Sequence, residues 1–323
     1  MLEAVPAWQH IAAAFHGCPT TSLFEFDLDC MFYNINKDVC LRYVHDFFEL
    51  MRVQYRRRTV AISKCARSLD RIGSGSHQFF HTINISDLLN YCVYELFYND
   101  IARVGFIGYR QSIGVPMGGH ISAQLATIFC VMSEVQQAGL PSYLLPMGAL
   151  PSFPVRAFRY MDNIAGAYDA ALVNIPTIMN FLAGVYRMPL KLEQSGFFLM
   201  SLEQCVISFP DGIQFMSKPL LHDCLNLVPV NTSICRIPPV ISPSFPPFMR
   251  MYVSSAFLKS FRYASSPAFT SLAIQNLVLG LQHHGFSFAD ISRCILLVYH
   301  AHVLELNHTL PFLTLCSLLN SLT

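Results

Sequence analysis

The sequence predicts an α+β fold: a mixed, mainly antiparallel sheet backed by helices, then a helical C-terminal region. Short arms at 23–29 and 158–168, with apolar and polar residues interleaved, read as strands, the second pair joined as a hairpin. Runs beginning near 36 and 84 carry apolar residues at three- and four-residue spacing and read as helices. Beyond prolines at 238, 239, 243, 246 and 247, the stretch 248–323 is mainly helical in pattern. The 323 residues are enough for about two domains of roughly 150 residues and for a core that needs no disulfide or metal staple.

In chain order, LFEFDLD at 23–29 is a strand, followed by a turn and a helix from about Asn36 to Val53. Residues 52–71 hold Arg52, Arg56, Arg57, Arg58, Lys64, Arg67 and Arg71 against one acid, Asp70. Ser74 to Gln78 has loop character, and Ser86 is the expected N-cap of a helix that places Leu88, Leu89, Cys92, Val93, Leu96 and Phe97 on its apolar side. A strand-like start at Ile107 meets turn residues Gly114, Pro116, Gly118 and Gly119, and a long apolar helix follows from Ser122. Residues 138–154, with four prolines, form a loop. The hairpin at 158–168 is read with Asp162-Asn163 at its tip, a helix spans about Pro176 to Tyr186, and two or more short strands follow from Leu190.

Composition narrows the class. The chain is 53% hydrophobic and only 13% charged, against about 25% in typical soluble domains, which excludes disorder over most of its length. Charge-free stretches such as 111–133 and 263–289 are broken by Gly, Pro, His, Gln, Asn or Ser, so no membrane span is expected. A net charge of +1 means that any nucleic-acid binding is local, not the work of a basic body. Eleven scattered cysteines without a CxxC pair suit reduced thiols. With Glu3 and no basic residue ahead of the first apolar run, the start is a poor secretory signal, and the expected location is intracellular, nucleus or cytoplasm, not secreted.

Three pieces carry chemistry together: Asp27 at a strand end, the Gly-rich turn 114–119 before a helix, and Asp162 at a hairpin tip. Two carboxylates from separate strands supply what a pair of Mg²⁺ ions needs, because hard cations take oxygen ligands and leave positions for substrate phosphates. Taken singly, an Asp after an apolar strand is usually a solvated strand end, and GVPMGG reads equally as a tight turn and helix cap. Their order and surroundings favour the joint reading.

FEFDLDCMFYNI (24–35) resembles motif A of reverse transcriptases, YRQSIGVPMGGHISAQLA (109–126) resembles motif B, and FRYMDN (158–163) resembles motif C. More narrowly, the F-x-F-D start, Tyr-Arg-Gln before the motif B glycine, and LKLEQSGFFLMSLEQCVI (190–207) resemble Penelope-like retroelement polymerases. FLKSFRYASSP and LQHHGFSFADIS extend the similarity into a thumb-like region, over about 22–295 in all. The resemblance implies an N-terminal extension at 1–21, a palm-like domain at 22–217, a Pro-rich linker at 218–247 and a thumb-like region at 248–323, with the fingers largely missing.

It implies an RNA-directed DNA polymerase that joins deoxynucleoside triphosphates to a DNA primer on an RNA template, with Mg²⁺ or Mn²⁺ as cofactor. Asp27 and Asp162 match the metal-binding aspartates, Asn163 stands as a further ligand, and Phe32 matches the gate against a ribose 2′-hydroxyl. Gln111, Gly114, Pro116, Met117 and Gly118 match the template and nucleotide contact segment, Tyr160 and Met161 would pack beneath the primer terminus, and Lys191 would protonate pyrophosphate. Asn163 replaces the second Asp of the usual box, with half its acceptor capacity and no charge, and Gly119-His120 stands where Ser-Pro is common. Only 26 residues precede Asp27, which points to a protein partner or an upstream fingers segment. A catalytically degenerate module that binds nucleic acid, or serves assembly, is the competing class.

The basic run, with Arg56, Arg57, Arg58, Lys64 and Arg67 as the nucleic-acid-binding candidates, is on composition alone a solvated helical face. In a palm-like setting it would track a template or primer backbone. His283-His284 and His300-x-His302 lack partners at ligand spacing, and no Walker A, GxSxG or HExxH sequence occurs.

Overall fold

The computed structural model describes residues 4–64, 70–104, 106–116, 119–138, 154–201, 204–217, 245–283 and 285–322. A four-stranded antiparallel sheet lies at its centre, in the order β7 (Val155–Tyr160), β8 (Asn163–Asp169), β1 (Thr21–Leu28), β9 (Leu190–Gly196). Strand β1 sits inside it, so both of its edges are paired and Leu23, Phe24, Phe26 and Leu28 are buried. That double burial explains why the apolar/polar alternation of 23–29 is imperfect: a strand covered on both faces has no solvated row to keep polar.

One face of this sheet is packed by α2 (Met31–Asn34), α3 (Lys37–Tyr55), α4 (Ile85–Phe97), α5 (Ser122–Ala138) and α6 (Ile175–Tyr186). Their shared core includes Phe24, Phe26, Met31, Cys40, Val44, Leu96, Leu125, Phe129 and Ile178. Helix α3 starts one residue later than the pattern suggests because the Asn36 side chain accepts from the backbone N–H groups of Asp38 and Val39, each at 3.0 Å. Asn84, not Ser86, occupies the N-cap position of α4, where the chain leaves a strand and is still extended.

Helix α1 (Ala4–Ala14) buries Trp8 and Ile11 against Leu23, Ala165, Ala167, Leu199 and Phe215, with Trp8 edge-on to Phe158 at 5.3 Å. The residues ahead of β1 are thus part of the core. Strands β10 (Phe198–Ser201), β11 (Gln204–Phe209) and β12 (Gly212–Ser217) form a second antiparallel sheet. Its other side takes Phe269, Leu272 and Ala273 from α8 (Pro267–His283). Around α8 gather α7 (Phe245–Arg262), α9 (Phe288–Ala301), α10 (Val303–Leu306) and α11 (Phe312–Asn320), with Phe257, Ile274, Val278, Ile291, Ile295 and Tyr299 at their centre.

Two smaller sheets complete the topology: β2 (Thr59–Ser63) between β3 (Arg71–Ile72) and β4 (Phe80–Asn84), and a hairpin of β5 (Ile101–Val104) with β6 (Ile107–Arg110). The basic run is therefore not a helical face. Arg56 ends α3 in a left-handed conformation (φ 50°), and Thr59–Ser63 are a strand. Most of the loop read at 138–154 and of the linker read at 218–247 lies outside the described residues. Among those described, all the cysteines are free thiols, and burial pushes Cys40, Cys130 and Cys205 each up to about 12. No described helix is long and apolar enough to cross a membrane.

Candidate active site

Asp27 is the penultimate residue of β1, and the antiparallel register sets it opposite Asn163 on one side and Lys191 on the other. The Leu28 N–H donates to the Asp162 carbonyl at 2.9 Å, so the turn bearing Asp162 is tied to the end of the same strand. Turn residues are Met161-Asp162, not Asp162-Asn163: Tyr160 pairs with Asn163, which is already in β8. Met161 takes φ 56° to close the turn, a conformation that costs a non-glycine residue energy and occurs preferentially at constrained sites. Asn163 donates from Nδ2 to Asp162 Oδ1 at 3.2 Å.

The electrostatics follow from this convergence. Burial raises the Asp27 pKa, the negative charges of Asp162 and Glu193 raise it further, and Lys191 opposes them. Asp29 adds a smaller push; it lies beyond the strand end, exposed, where the chain turns through Cys30 at φ 49°. Lys191 does not face Asp27 alone, since its Nζ lies 2.6 Å from Glu193 Oε1. That hydrogen bond, with the nearby acidic charges, holds the ammonium above its usual range. Glu193 reaches this place through an irregularity: Glu25 pairs with Gln194 but Phe26 with Leu192, so Glu193 is the extra residue of a β-bulge.

The donor set is carboxylate and amide oxygen, which fits a hard divalent cation such as Mg²⁺ or Mn²⁺. No group of three His, Cys, Asp or Glu among the described residues is arranged to hold a metal by itself. Two carboxylates suffice where phosphates and water complete the shell.

A second layer fixes the Asp162 turn. Arg159 on β7 donates from Nε to Glu134 Oε1 at 2.6 Å and from Nη1 to the Met161 carbonyl at 3.0 Å. Tyr186 on α6 donates to the same Glu134 oxygen at 2.8 Å, and burial pushes its phenol up. Sequence reasoning missed Glu134 and Tyr186 because 25 and 27 residues separate them from Arg159. Glu193, two residues from Lys191 on one strand, was findable from the period-2 rule.

The motif B segment is held against α2. Phe32 packs on the main core and its carbonyl accepts the Val115 N–H at 2.7 Å. Gly114 has φ 78°, and a Cβ there would collide with the Phe32 carbonyl oxygen and stand 2.7 Å from Tyr33 backbone. At Gly114 the missing side chain thus makes room for the backbone of α2. At Gly119 a Cβ would meet Ser122 Oγ at 2.6 Å and Glu95 Oε2 at 2.7 Å. Gly114→Ala is expected to cost about 1–3 kcal/mol of stability, read as a lower urea midpoint.

Gln111 closes the turn: its Nε2 donates to the carbonyls of Ile113 (2.8 Å) and Val115 (3.1 Å). Pro116 is buried and its carbonyl accepts from the Ser122 hydroxyl; Met117 and Gly118 lie outside the described residues. Lys37 anchors the segment by donating to the Gln111 carbonyl at 2.7 Å and to Asp100 Oδ2 at 3.2 Å, while Arg110 grips the same carboxylate. Burial works against the Asp100 charge, but the hydrogen bonds from Lys37 and Arg110 overcome it and lower its pKa. This stabilisation is complete above the unfolded carboxylate value of about 3.9 and is lost as pH falls through the depressed folded value. Asp100→Asn is accordingly expected to lower Tm at neutral pH and to flatten its fall below about pH 4.

Tyr160 and Met161 are partly exposed at the hairpin tip. Arg56, Arg57, Arg58 and Lys64 are exposed on or beside the separate β2–β3–β4 sheet and are not brought to Asp27; Lys64 donates to the His77 carbonyl at 2.5 Å. Arg67 lies outside the described residues.

No protein-family model matches the chain, and no curated protein matches it. Among solved structures, it is similar to telomerase from Candida albicans in complex with a TWJ fragment of telomeric RNA. The TM-score is 0.54 at 10% identity, covering 92% of this chain and 48% of that one. Apo telomerase from Candida tropicalis is a weaker neighbour, with a TM-score of 0.47 at 12% identity over 91% of this chain and 46% of that one. The chain spans about half the length of these telomerase chains. The fold, mixed α and β with antiparallel sheets, is similar to that of the Candida albicans telomerase chain.

Proposed function

We propose that the chain is the palm and thumb of an RNA-directed DNA polymerase of a retroelement, most like the Penelope-like group. The observation that carries this reading is the convergence of Asp27 and Asp162 at the end of β1, in a fold of reverse-transcriptase type. Asp27 and Asp162 hold the divalent ions, and Asn163 contributes a neutral oxygen. Mg²⁺ bound there supplies a lowered pKa for the attacking primer 3′-hydroxyl and neutralises charge on the triphosphate. Phe32 stands against a ribose 2′-hydroxyl, Tyr160 and Met161 support the primer terminus, and Lys191 gives a proton from Nζ to the departing pyrophosphate. Gln111 and Gly114 act by holding the motif B turn against α2.

A second reading, a non-catalytic module that binds nucleic acid, is favoured by Asn163, which removes a carboxylate and ties Asp162 Oδ1 by a hydrogen bond. Primer extension on an RNA template, with Mg²⁺ and separately Mn²⁺, decides between them beside an Asp27→Ala control. Metal-dependent extension absent from the control supports the polymerase. Primer–template binding without extension supports the module.

A further inference from the structure

Helix α4 carries a feature that the polymerase reading does not use. Tyr91, Tyr94 and Tyr98 follow one another at three- and four-residue spacing, on the side opposite buried Cys92 and Leu96. They are 38%, 51% and 65% exposed. Their rings form a column: Tyr91–Tyr94 centroids are 6.5 Å apart at 17°, and Tyr94–Tyr98 centroids 6.4 Å apart at 16°. Near-parallel exposed faces contrast with the edge-on contact of the buried Trp8–Phe158 pair.

The column is flanked by cations. At the N-terminal end of α4, before the column begins at Tyr91, the Ile85 N–H donates to the Arg58 carbonyl at 3.0 Å, which brings the exposed Arg56–Arg58 segment to the start of the helix. At its C-terminal end Arg110 donates to the Phe97 carbonyl at 3.0 Å and its side chain is 68% exposed. Lys37 and Arg110 meet the Asp100 carboxylate at that end, with Arg110 still largely exposed. The acids of α4 itself are Asp87, exposed in the first turn and 3.3 Å from Asn84, and Glu95, which is buried beneath the column, beside the Tyr91 hydroxyl and accepting from Asn99 at 3.2 Å.

We propose that the Tyr91–Tyr94–Tyr98 column is a binding surface for single-stranded nucleic acid, with bases stacked on the rings and phosphates on the flanking arginines. Aromatic faces accept any base, and exposed arginines at the start and the last turn of the helix complement a polyanion rather than an apolar protein face. The surface is distinct from the Asp27–Asp162 centre, which lies on the central sheet.

The test is fluorescence anisotropy of labelled oligouridine and oligodeoxythymidine of about 12 nucleotides with the full chain. Tyr94→Ala is expected to weaken binding about tenfold and the triple Tyr→Ala variant further. Tyr94→Phe is expected to stay within about twofold and Tyr94→Leu to match Ala, because the ring and not the hydroxyl or the apolar area is needed. Similar affinity for both oligomers assigns recognition to bases and phosphates, and preference for RNA adds the 2′-hydroxyl. The proposal is overturned if neither oligomer binds, or if the Tyr→Ala variants, folded by circular dichroism, bind as the parent does. It is equally overturned if Tyr94→Leu binds normally, since an aliphatic side chain offers no ring for a base to stack on. Tyr98→Ala, at the most exposed position, serves where the triple variant does not fold. Primer extension is the separate readout: its absence with column binding intact removes the polymerase reading and leaves this one.

Discussion

Asp162→Ala is expected to cut metal-dependent primer extension by roughly a thousandfold, several kcal/mol of charge stabilisation at about 1.4 kcal/mol per decade. The loss comes without a loss of fold. Asp162 is half-buried in a turn whose backbone bonds, from the Leu28 N–H to the Asp162 carbonyl among them, do not involve its side chain. Asp27 makes the sharper case. Its folded pKa is raised by burial and by Asp162 and Glu193, so its charged form is destabilising at neutral pH and is relieved only as pH falls toward that raised value. Asp27→Asn should therefore raise Tm at pH 7 while abolishing extension. Added Mg²⁺ should raise the Tm of the parent and leave that of the variant unmoved. Full extension by Asp162→Ala, or a fall in Tm for Asp27→Asn, would contradict this account.

Glu134→Ala is expected to be the most damaging change away from Asp27 and Asp162, at about 3–5 kcal/mol. Arg159 is 9% exposed, and its partner carboxylate also accepts from Tyr186, so truncation leaves a buried guanidinium and a buried phenol without their acceptor. Urea unfolding followed by the fluorescence of Trp8, the one tryptophan of the chain, reads the loss directly. Because Arg159 also holds the Met161 carbonyl, the effect should reach the Asp162 turn. The apolar double variant Glu134→Leu/Arg159→Met removes both charges and is expected to recover much of the stability. It should not recover extension, since the turn has lost its anchor. Equal recovery of both would reduce this network to ordinary packing.

Much of the local structure was legible in the sequence, because local signals carry it. The strand at Asp27, the hairpin at 158–168 and the helix starting at Ser122 all lie where alternation, turn residues and helical spacing place them. The errors are equally local in origin. Ser86 is a good cap by type, but Asn84 occupies the position where β4 ends, and only strand pairing decides that boundary. The basic run scans as a helical face because charge spacing alone does not separate a helix end from a strand, and pairing with β4 made 59–63 a strand. Strand β12 carried no signal beyond short apolar spacing and was not anticipated.

The sequence by itself determined the chemical inventory: two aspartates on separate strands, a neutral Asn163, and a glycine where the chain needs φ 78°. Residue type and order are enough for that, since turn chemistry and strand ends act over a few residues. Tertiary structure alone decided which groups meet. Antiparallel register sets Asp27 between Asn163 and Lys191, and packing of α5 and α6 brings Glu134 and Tyr186 to Arg159. Electrostatic coupling depends on distance through space. A chain that separates partners by 25 residues or more conceals that distance until burial of the shared core fixes the register.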